Sequence, residues 1–430
     1  MARLRELGNL EKFHATKNFL GMDTCITMSA RYTNAEGTPL TKEILFPAIR
    51  AVIETHAMLG VRFDGKLESP DLVFFRLPSI DLSRVVTFSD SDDLQGALEK
   101  WFTRRFEGGE EDMPLWRVEV LSDNTVIFAM HHGMGDGHCP VVFHQSLFRA
   151  LQDPSYPPSA AAAVTAIDVR LSFWKILSVL YHALMPRPWN RGTYAWTGNF
   201  IPPTATLNTR VRLLTFDSTE ADKLSRIARS HDATVSSALY ELTVNTLSRV
   251  IARHPAPVRY KTIAMSFPIS LRSIAGPDAT PDVFCYYPAS YGAFPALHAD
   301  FSWDTAAWVA VRLREQKHRL HETEMGILGW LVNNYPGVLK GLFGTKRTEG
   351  FRISNPGRFV VPNVEGKWDV GNVFFGQCDS LVGPAMTMNV LGDPKGGINI
   401  VLSWGEGNVD EAFVGDFIET LREGFLGVLA

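Results

Sequence analysis

The sequence predicts an α/β protein of two lobes, in which mixed β-sheets are flanked by helices. The chain has 430 residues, of which 45% are hydrophobic, enough to bury two large cores. Segments with the period of a strand alternate with segments with the period of a helix. A buried strand, a Gly-rich turn and an amphipathic helix also occur twice, at residues 126–151 and 399–425. This repeat suggests two related lobes, and the second has Trp404 and Gly405 where the first has two histidines.

The first part of the chain reads as a sheet with helices. Strands are predicted at residues 23–34, 71–77, 115–121 and 125–132. Helices are predicted at residues 41–59, 94–106 and 140–153. Pro47 falls in the first turn of the first helix, where proline is tolerated. Residues 1–20 are predicted to be an irregular lead-in.

The composition changes near residue 153, and a second set of elements follows. The Pro- and Ala-rich stretch predicts a first lobe at 1–155, a linker with an apolar helix at 156–206, and a second lobe at 207–430. The apolar helix, residues 171–189, either packs on the lobes, covers the site as a lid or lies on a membrane surface. Strands are predicted at residues 209–218, 261–271, 350–355, 371–377, 384–392 and 397–404. Two helices are predicted within residues 220–254, and a last one at 409–429.

Composition excludes several classes of protein. The net charge is -4 and the Lys and Arg residues are dispersed, so no nucleic-acid surface is expected. No apolar run reaches the ~18–20 residues of a transmembrane helix, and the first residues lack the apolar core of a secretory signal. The four cysteines are far apart, which predicts free thiols, no zinc site and a cytoplasmic protein. They are Cys25, Cys139, Cys285 and Cys378.

The stretch "FAMHHGMGDG", residues 128–137, carries the chemistry. A histidine at the end of a buried strand faces a cleft, and its pKa near neutrality would let it accept and return a proton. Activity is therefore expected to rise with pH through an ionisation near neutrality. Glycines at 133, 135 and 137 let the backbone turn tightly. Without a GxSxG nucleophile motif, a lone imidazole base suits direct attack of a substrate hydroxyl, amine or thiol on a bound acyl group. The resulting oxyanion needs a hydrogen-bond donor.

Residues 131–137 fit HHxxxDG, and the chain resembles the chloramphenicol acetyltransferase-like superfamily, which includes the plant BAHD acyltransferases and condensation domains. "LRELGNLEKFHATKNFLGM" and "MPLWRVEVL" are similar to the fungal alcohol acetyltransferase branch. "THAMLGVRF" also resembles that branch, with Ala57 in place of its proline. "DVGNVFFG" at 369–376 departs from the plant Asp-Phe-Gly-Trp-Gly motif and fits the fungal branch better. The resemblance implies two lobes with an active-site tunnel between them.

The resemblance also implies roles for individual residues. His132 would be the general base, and Gly137 would keep the channel open. Asp136 would be structural and would pair with Arg272 of "SFPISLR" across the lobe interface. Ser354 of "ISNPG" would donate a hydrogen bond to the oxyanion, although this segment is also typical of a plain turn.

Other residues near these motifs are assigned more general roles. His131 is expected to orient or pack, His138 and His144 to be ordinary histidines, and Cys139 not to be a nucleophile. A second group is predicted to line the acceptor pocket, with core packing as the alternative for its aromatic members. It comprises His131, Tyr286, Tyr287, Asn355, Phe374, Phe375 and Gln377.

The predicted function is O-acyl transfer, most simply of acetyl, from acyl-CoA to a small alcohol acceptor. This chemistry needs no metal and no permanently bound cofactor, and the protein is expected to be a monomer. One alternative is a condensation-like enzyme that takes its acyl group from a carrier protein and forms an ester or amide. Another is a cyclase or isomerase with His132 as acid or base. A scaffold with a degenerate site is a further alternative, disfavoured by the intact motif. The sequence does not identify the acceptor, the length of the acyl group or a choice between O- and N-acylation.

Overall fold

The structure, a computed structural model, describes residues 2–64, 72–106, 112–153, 176–177, 181, 191–254, 259–272, 284, 288–316, 329 and 334–430. Tyr286, Tyr287 and most of the predicted helix at 171–189 lie outside these residues. The helices are α1 Asn9–Phe19, α2 Lys42–Thr55, α3 Leu82–Val85, α4 Leu94–Thr103, α5 Cys139–Gln152, α6 Ser218–Ser230, α7 Val235–Arg253, α8 Trp303–Gln316, α9 Tyr335–Lys340 and α10 Glu411–Leu429. In the described part of the chain, no helix combines the length and apolar character that crossing a membrane needs.

A five-stranded sheet organises the first part of the chain, in the order β14-β2-β7-β6-β5. Its strands are β2 Cys25–Asn34, β5 Val86–Phe88, β6 Trp116–Val120, β7 Thr125–His131 and β14 Trp368–Gln377. Every residue of β6 and β7 is buried. This explains the nearly continuous apolar sequence of β7, whereas β6 also buries Arg117 and Glu119. One core packs α2 and α5 on this sheet, and a second core lies between it and the other large sheet.

A six-stranded mixed sheet organises the second part, in the order β12-β11-β13-β15-β16-β9. Its strands are β9 Thr209–Phe216, β11 Met265–Ser270, β12 Pro288–Ala293, β13 Phe351–Ser354, β15 Met386–Gly392 and β16 Ile398–Gly405. The α7 and α10 helices pack together and belong to its core. The β15–β16 hairpin followed by α10 repeats the β6–β7 hairpin followed by α5, so the mixed α/β, two-lobed architecture predicted from the sequence is confirmed.

Strand β14 comes from the second part of the chain but pairs antiparallel with β2 of the first sheet. It also contacts β15 and β16, so it lies where the two large sheets meet. The boundaries at residues 155 and 206 stay a prediction. The described residues also form two small sheets: β1 Ala2–Glu6 with β4 Val73–Arg76 and β3 Val61–Asp64, and β8 Ala195–Trp196 with β10 Thr262–Ile263.

The irregular lead-in predicted for residues 1–20 is wrong, because this segment forms β1 and α1. The apolar periodicity of α1 is weak because polar side chains occupy its buried face. Glu11 is buried and accepts two hydrogen bonds of 2.7 Å from the Arg5 guanidinium. Lys17 is buried beside Asp23. Ion pairing therefore compensates for the cost of burying these charged side chains. An amphipathic helix would normally carry apolar residues at these positions.

Candidate active site

The candidate site is the loop between β7 and α5. Residue pairing of β7 with β2 and β6 holds the strand until His131, where it ends opposite Cys25. A short 3-10 turn, His132–Met134, follows, and α5 begins at Cys139 with Pro140 in its first turn. The sheet therefore fixes where the two histidines leave the core.

His132 is partly buried, and the Nδ1 edge of its ring contacts the backbone of its own loop. Its Nδ1 lies 3.2 Å from the carbonyl oxygen of Gly135. Because a carbonyl only accepts, Nδ1 carries the proton and Nε2 keeps its lone pair. Burial lowers the pKa of His132 to about 4, with the Asp23 carboxylate opposing this shift and the Lys17 ammonium adding to it. The expectation of an ionisation near neutrality is therefore corrected to a lower pH.

His131 has a different environment, although it is the adjacent residue. Its side chain is fully buried, and its Nδ1 accepts a 2.8 Å hydrogen bond from the backbone N–H of Gly133. Its ring meets Phe63 edge to face, with 4.9 Å between ring centroids. His131 therefore holds the turn and packs in the core, whereas His132 offers a basic nitrogen.

The structure brings Asp136 and Arg272 together, as an ion pair buried at the edge of the loop. Arg272 Nη1 donates to Asp136 Oδ2 at 2.7 Å, and both side chains are 7% exposed. The other carboxylate oxygen accepts from the backbone N–H of His138 at 3.0 Å. Arg272 follows β11, so this pair ties the loop of the first sheet to a strand of the second.

Gly137 lies against Phe375 of β14. A Cβ at this position would come within 3.0 Å of the Phe375 ring, which is fully buried. Any larger residue would push the loop or the ring away. Phe375 therefore packs in the core and also forms one wall of the loop.

The other described residues predicted for the site lie on the second sheet, beside it, or at the end of β14 where the two large sheets meet. Ser354 is buried at the end of β13, opposite Asn389 of β15. Asn355 donates to Ser236 Oγ at 3.0 Å, and Gln377 donates to Asn389 Oδ1 at 2.9 Å. Within the described part of the chain, neither Ser354 nor Asn355 hydrogen-bonds to His132.

The described cysteines are free thiols. Cys139 Sγ lies 3.7 Å from Arg272 Nη2 and packs beside the ion pair. Burial raises the pKa of Cys378 to about 11 and that of Cys25 well above its usual range. Protonated thiols are poor nucleophiles, so neither Cys25 nor Cys378 has the character of a reactive cysteine.

The sequence reasoning missed three residues near His132. His14 of α1 stacks on the His132 ring, and Asp23 and Lys17 lie behind His14. The signal available in the sequence was a helix start at Gly8, where Glu11 reaches back to the Gly8 backbone N–H at 2.7 Å. His14, Lys17 and Asp23 are more than 100 residues from His132 in sequence, so no local pattern indicated the contact.

The chain is similar to known proteins in sequence and in fold. No family model matches the chain. The probable alcohol acetyltransferase FCK4 of Fusarium pseudograminearum is 23% identical to it, over 81% of this chain and 78% of FCK4. The probable alcohol acetyltransferase crmB of Aspergillus fumigatus is 22% identical, over 95% of this chain and 96% of crmB.

Solved structures show the same fold. The TRI3 trichothecene 15-O-acetyltransferase of Fusarium sporotrichioides superposes with a TM-score of 0.70 at 14% identity, over 99% of this chain and 94% of TRI3. The first condensation domain of the calcium-dependent antibiotic synthetase superposes with a TM-score of 0.64 at 15% identity, over 100% of this chain and 98% of that domain. The chain therefore has the two-lobed, chloramphenicol acetyltransferase-like fold that the HHxxxDG resemblance implied. Within this class, its sequence relatives include fungal proteins named as probable alcohol acetyltransferases.

Proposed function

We propose that the protein is an O-acyltransferase that moves an acyl group, most simply acetyl, from acyl-CoA to the hydroxyl of a small acceptor. The observation that carries the proposal is the unprotonated Nε2 of His132 at the end of a buried strand. The names of the relatives and of TRI3 support transfer to an alcohol. The name of TRI3 gives a trichothecene as its acceptor. By analogy, we propose that the acceptor of this protein is a secondary metabolite.

The reaction needs one base and one oxyanion donor. His132 Nε2 removes the proton of the acceptor hydroxyl as its oxygen attacks the thioester carbonyl. The tetrahedral oxyanion then collapses, the C–S bond breaks, and the imidazolium returns the proton to the leaving thiolate. Asp136 and Arg272 hold the loop, and Ser354 is the proposed oxyanion donor by resemblance. No acyl-enzyme intermediate forms.

Release of CoA thiol from acetyl-CoA tests the proposal, with a panel of primary, secondary and terpenoid alcohols as acceptors. An acylated carrier protein is the alternative donor, and a matched panel of amines tests N-acylation. Ester formed from acetyl-CoA supports the proposal. Transfer only from the carrier protein would instead support a condensation-like enzyme, and rearrangement of an acceptor without CoA release would support a cyclase.

His132→Ala should lower kcat/KM for the reactive alcohol by roughly 10²–10⁴-fold, because the general base is lost. Thermal unfolding should be unchanged within a few degrees, since His132 is only partly buried. His131→Ala should affect unfolding more, because His131 packs in the core. Wild-type turnover by His132→Ala with intact folding would exclude His132 as the base.

A further inference from the structure

A second histidine, His14, lies against the face of the His132 ring. The two ring centroids are 4.0 Å apart, and the ring planes differ by 32°. His14 is carried by α1, which packs on the His132–Met134 turn. The contact therefore joins the β7–α5 loop to α1, which is distant from it in sequence.

Two charged residues fix the orientation of His14. Its Nδ1 donates to Asp23 Oδ2 at 3.3 Å, and the same oxygen accepts from Lys17 Nζ at 3.0 Å. The Asp23 and Lys17 side chains are 5% and 7% exposed, so their attraction is weakly screened. Although burial alone would raise the pKa of Asp23, the nearby Lys17 and His14 hold it well below its usual range. The carboxylate therefore stays charged and keeps the proton of His14 on Nδ1.

The helix that carries His14 is also fixed. Asn18 donates to the carbonyl of Thr24 at 2.7 Å, and the Tyr335 hydroxyl donates to the carbonyl of Asn9 at 3.2 Å. The Tyr335 ring also meets Phe13 edge to face at 5.6 Å. These contacts fix the position of the helix and, with the Asp23 hydrogen bond, that of the His14 ring.

We propose that His14 is a positioning residue for His132, and that its ring face holds the His132 imidazole in the plane from which Nε2 reaches the acceptor hydroxyl. This inference rests on the proposed function. The His132 loop contains three glycines at 133, 135 and 137, and the Nδ1 contact to Gly135, at 3.2 Å, is at the long end of hydrogen-bond lengths. A flat partner on the ring face restricts rotation that this edge contact permits.

His14 supports the base without exchanging the proton itself. Burial lowers the pKa of His14 well below its usual value, and the adjacent His132 adds to this effect. His14 therefore stays neutral near pH 7 and does not repel the imidazolium that His132 becomes during the reaction. The ring face, rather than a ring nitrogen, carries the function.

The experiment compares His14→Ala with His14→Phe, which removes both nitrogens but keeps a flat ring. His14→Ala should lower kcat by roughly 10- to 100-fold, as expected for a displaced catalytic group, with the KM for acetyl-CoA changed less than about twofold. His14→Phe should recover most of that loss. His231→Ala is the matched control, because the His231 ring also stacks on another ring, that of Trp303, with centroids 4.9 Å apart. His231 directly follows α6, in the second part of the chain. This control variant should behave as wild type.

A second readout requires no turnover. The Cε1–H nuclear magnetic resonance signal of His132, assigned by its absence in His132→Ala, should shift in His14→Ala and stay in His231→Ala. An unchanged signal, or wild-type kcat in a folded His14→Ala, would overturn the inference while leaving the proposed function intact. Equal losses in His14→Phe and His14→Ala would also overturn it, because a nitrogen would then matter. Full activity of His132→Ala would instead overturn the proposed function.

Discussion

In the proposed mechanism, His132 is available as a base because burial keeps its imidazole neutral. The Gly135 carbonyl fixes its tautomer, and removal from water disfavours its charged form. Its neighbour His131 is buried more completely, and its Nδ1 accepts a hydrogen bond from the backbone N–H of Gly133 in the turn. Two adjacent residues of one type thus differ in environment because His131 is the last residue of strand β7, whereas His132 is the first residue of the 3-10 turn that follows.

The pH dependence of kcat/KM should follow this burial. Only neutral His132 accepts a proton, so activity is present above its pKa and lost as the pH falls through about 4. The profile should be nearly flat from about pH 5.5 to 8, provided that chemistry limits the rate. Initial rates in buffers of constant ionic strength measure it.

The Lys17→Met variant tests the cause of the low value. Removing the Lys17 charge should move the acidic limb towards neutrality, because the ammonium lowers the pKa of His132 and Asp23 would then act unopposed. A wild-type limb near pH 6.5 would mean that His132 is hydrated in the working enzyme. A limb that moves to lower pH in Lys17→Met would contradict the electrostatic account.

Among the elements, the β7–α5 loop depends on a contact with the other sheet. The Asp136 carboxylate forms an ion pair with Arg272, which lies just beyond the end of β11. An unpaired charge at this depth is costly. The loop that carries the base is therefore held in shape by the second sheet.

Asp136→Ala and Arg272→Ala should each destabilise the fold by roughly 3–5 kcal/mol, because each leaves one buried charge unpaired. The double variant should be less harmful than the sum of the two, since it leaves no unpaired charge. Chemical denaturation of the four proteins measures this coupling. His132→Ala serves as the control that loses activity without losing stability.

Two outcomes would count against this role. Strictly additive losses would mean that Asp136 and Arg272 stabilise the protein independently. Wild-type stability of Asp136→Ala would mean that the carboxylate is solvated in solution despite its 7% exposure.

For the whole molecule, the sequence predicted many of the helices and strands but few of the contacts between them. Strands β7, β15 and β16 and helices α5 and α10 follow plain periodic patterns, and the HHxxxDG residues marked the loop. The α8 helix and strand β12 were missed, and α1 was hidden because its buried face is polar. The strand at 371–377 was expected within the second lobe. Its partner β2 could not be inferred, because strand pairing between distant segments leaves no local pattern.

The same limit applies to the candidate site. The Asp136–Arg272 pair was expected because resemblance named both residues. The stack of His14 on His132 was not, since a lone histidine in a polar helix carries no signal of its own. A contact that arises from packing, and that no sequence motif marks, can be identified only from the three-dimensional structure.

Strand β14 makes the two halves interdependent, and this can be tested by dividing the chain after residue 206. The fragment 1–206 would lose β14, which leaves the backbone edge of β2 unpaired. It would also lose the buried Trp368 and the four buried Val and Phe side chains of that strand, which are Val370, Val373, Phe374 and Phe375. At about 1.5–3 kcal/mol each, burial of these four Val and Phe side chains alone is worth roughly 6–12 kcal/mol, comparable to the net stability of a whole domain. The fragment should therefore aggregate when expressed alone and be recovered in a soluble complex when co-expressed with 207–430.

A fragment 1–206 carrying residues 364–379 on a flexible Gly/Ser linker is the matched control, because it restores β14 without the second sheet. It should be more soluble than 1–206 and should gain a cooperative unfolding transition in circular dichroism. The same linker with Phe374→Ser and Phe375→Ser should not, since both rings are buried in the native chain. If 1–206 alone were monomeric and unfolded cooperatively near the temperature of the full protein, β14 would contribute little. The predicted lobe boundary would then also mark an independent folding unit, and the His132 loop would not need strand β14 for its support.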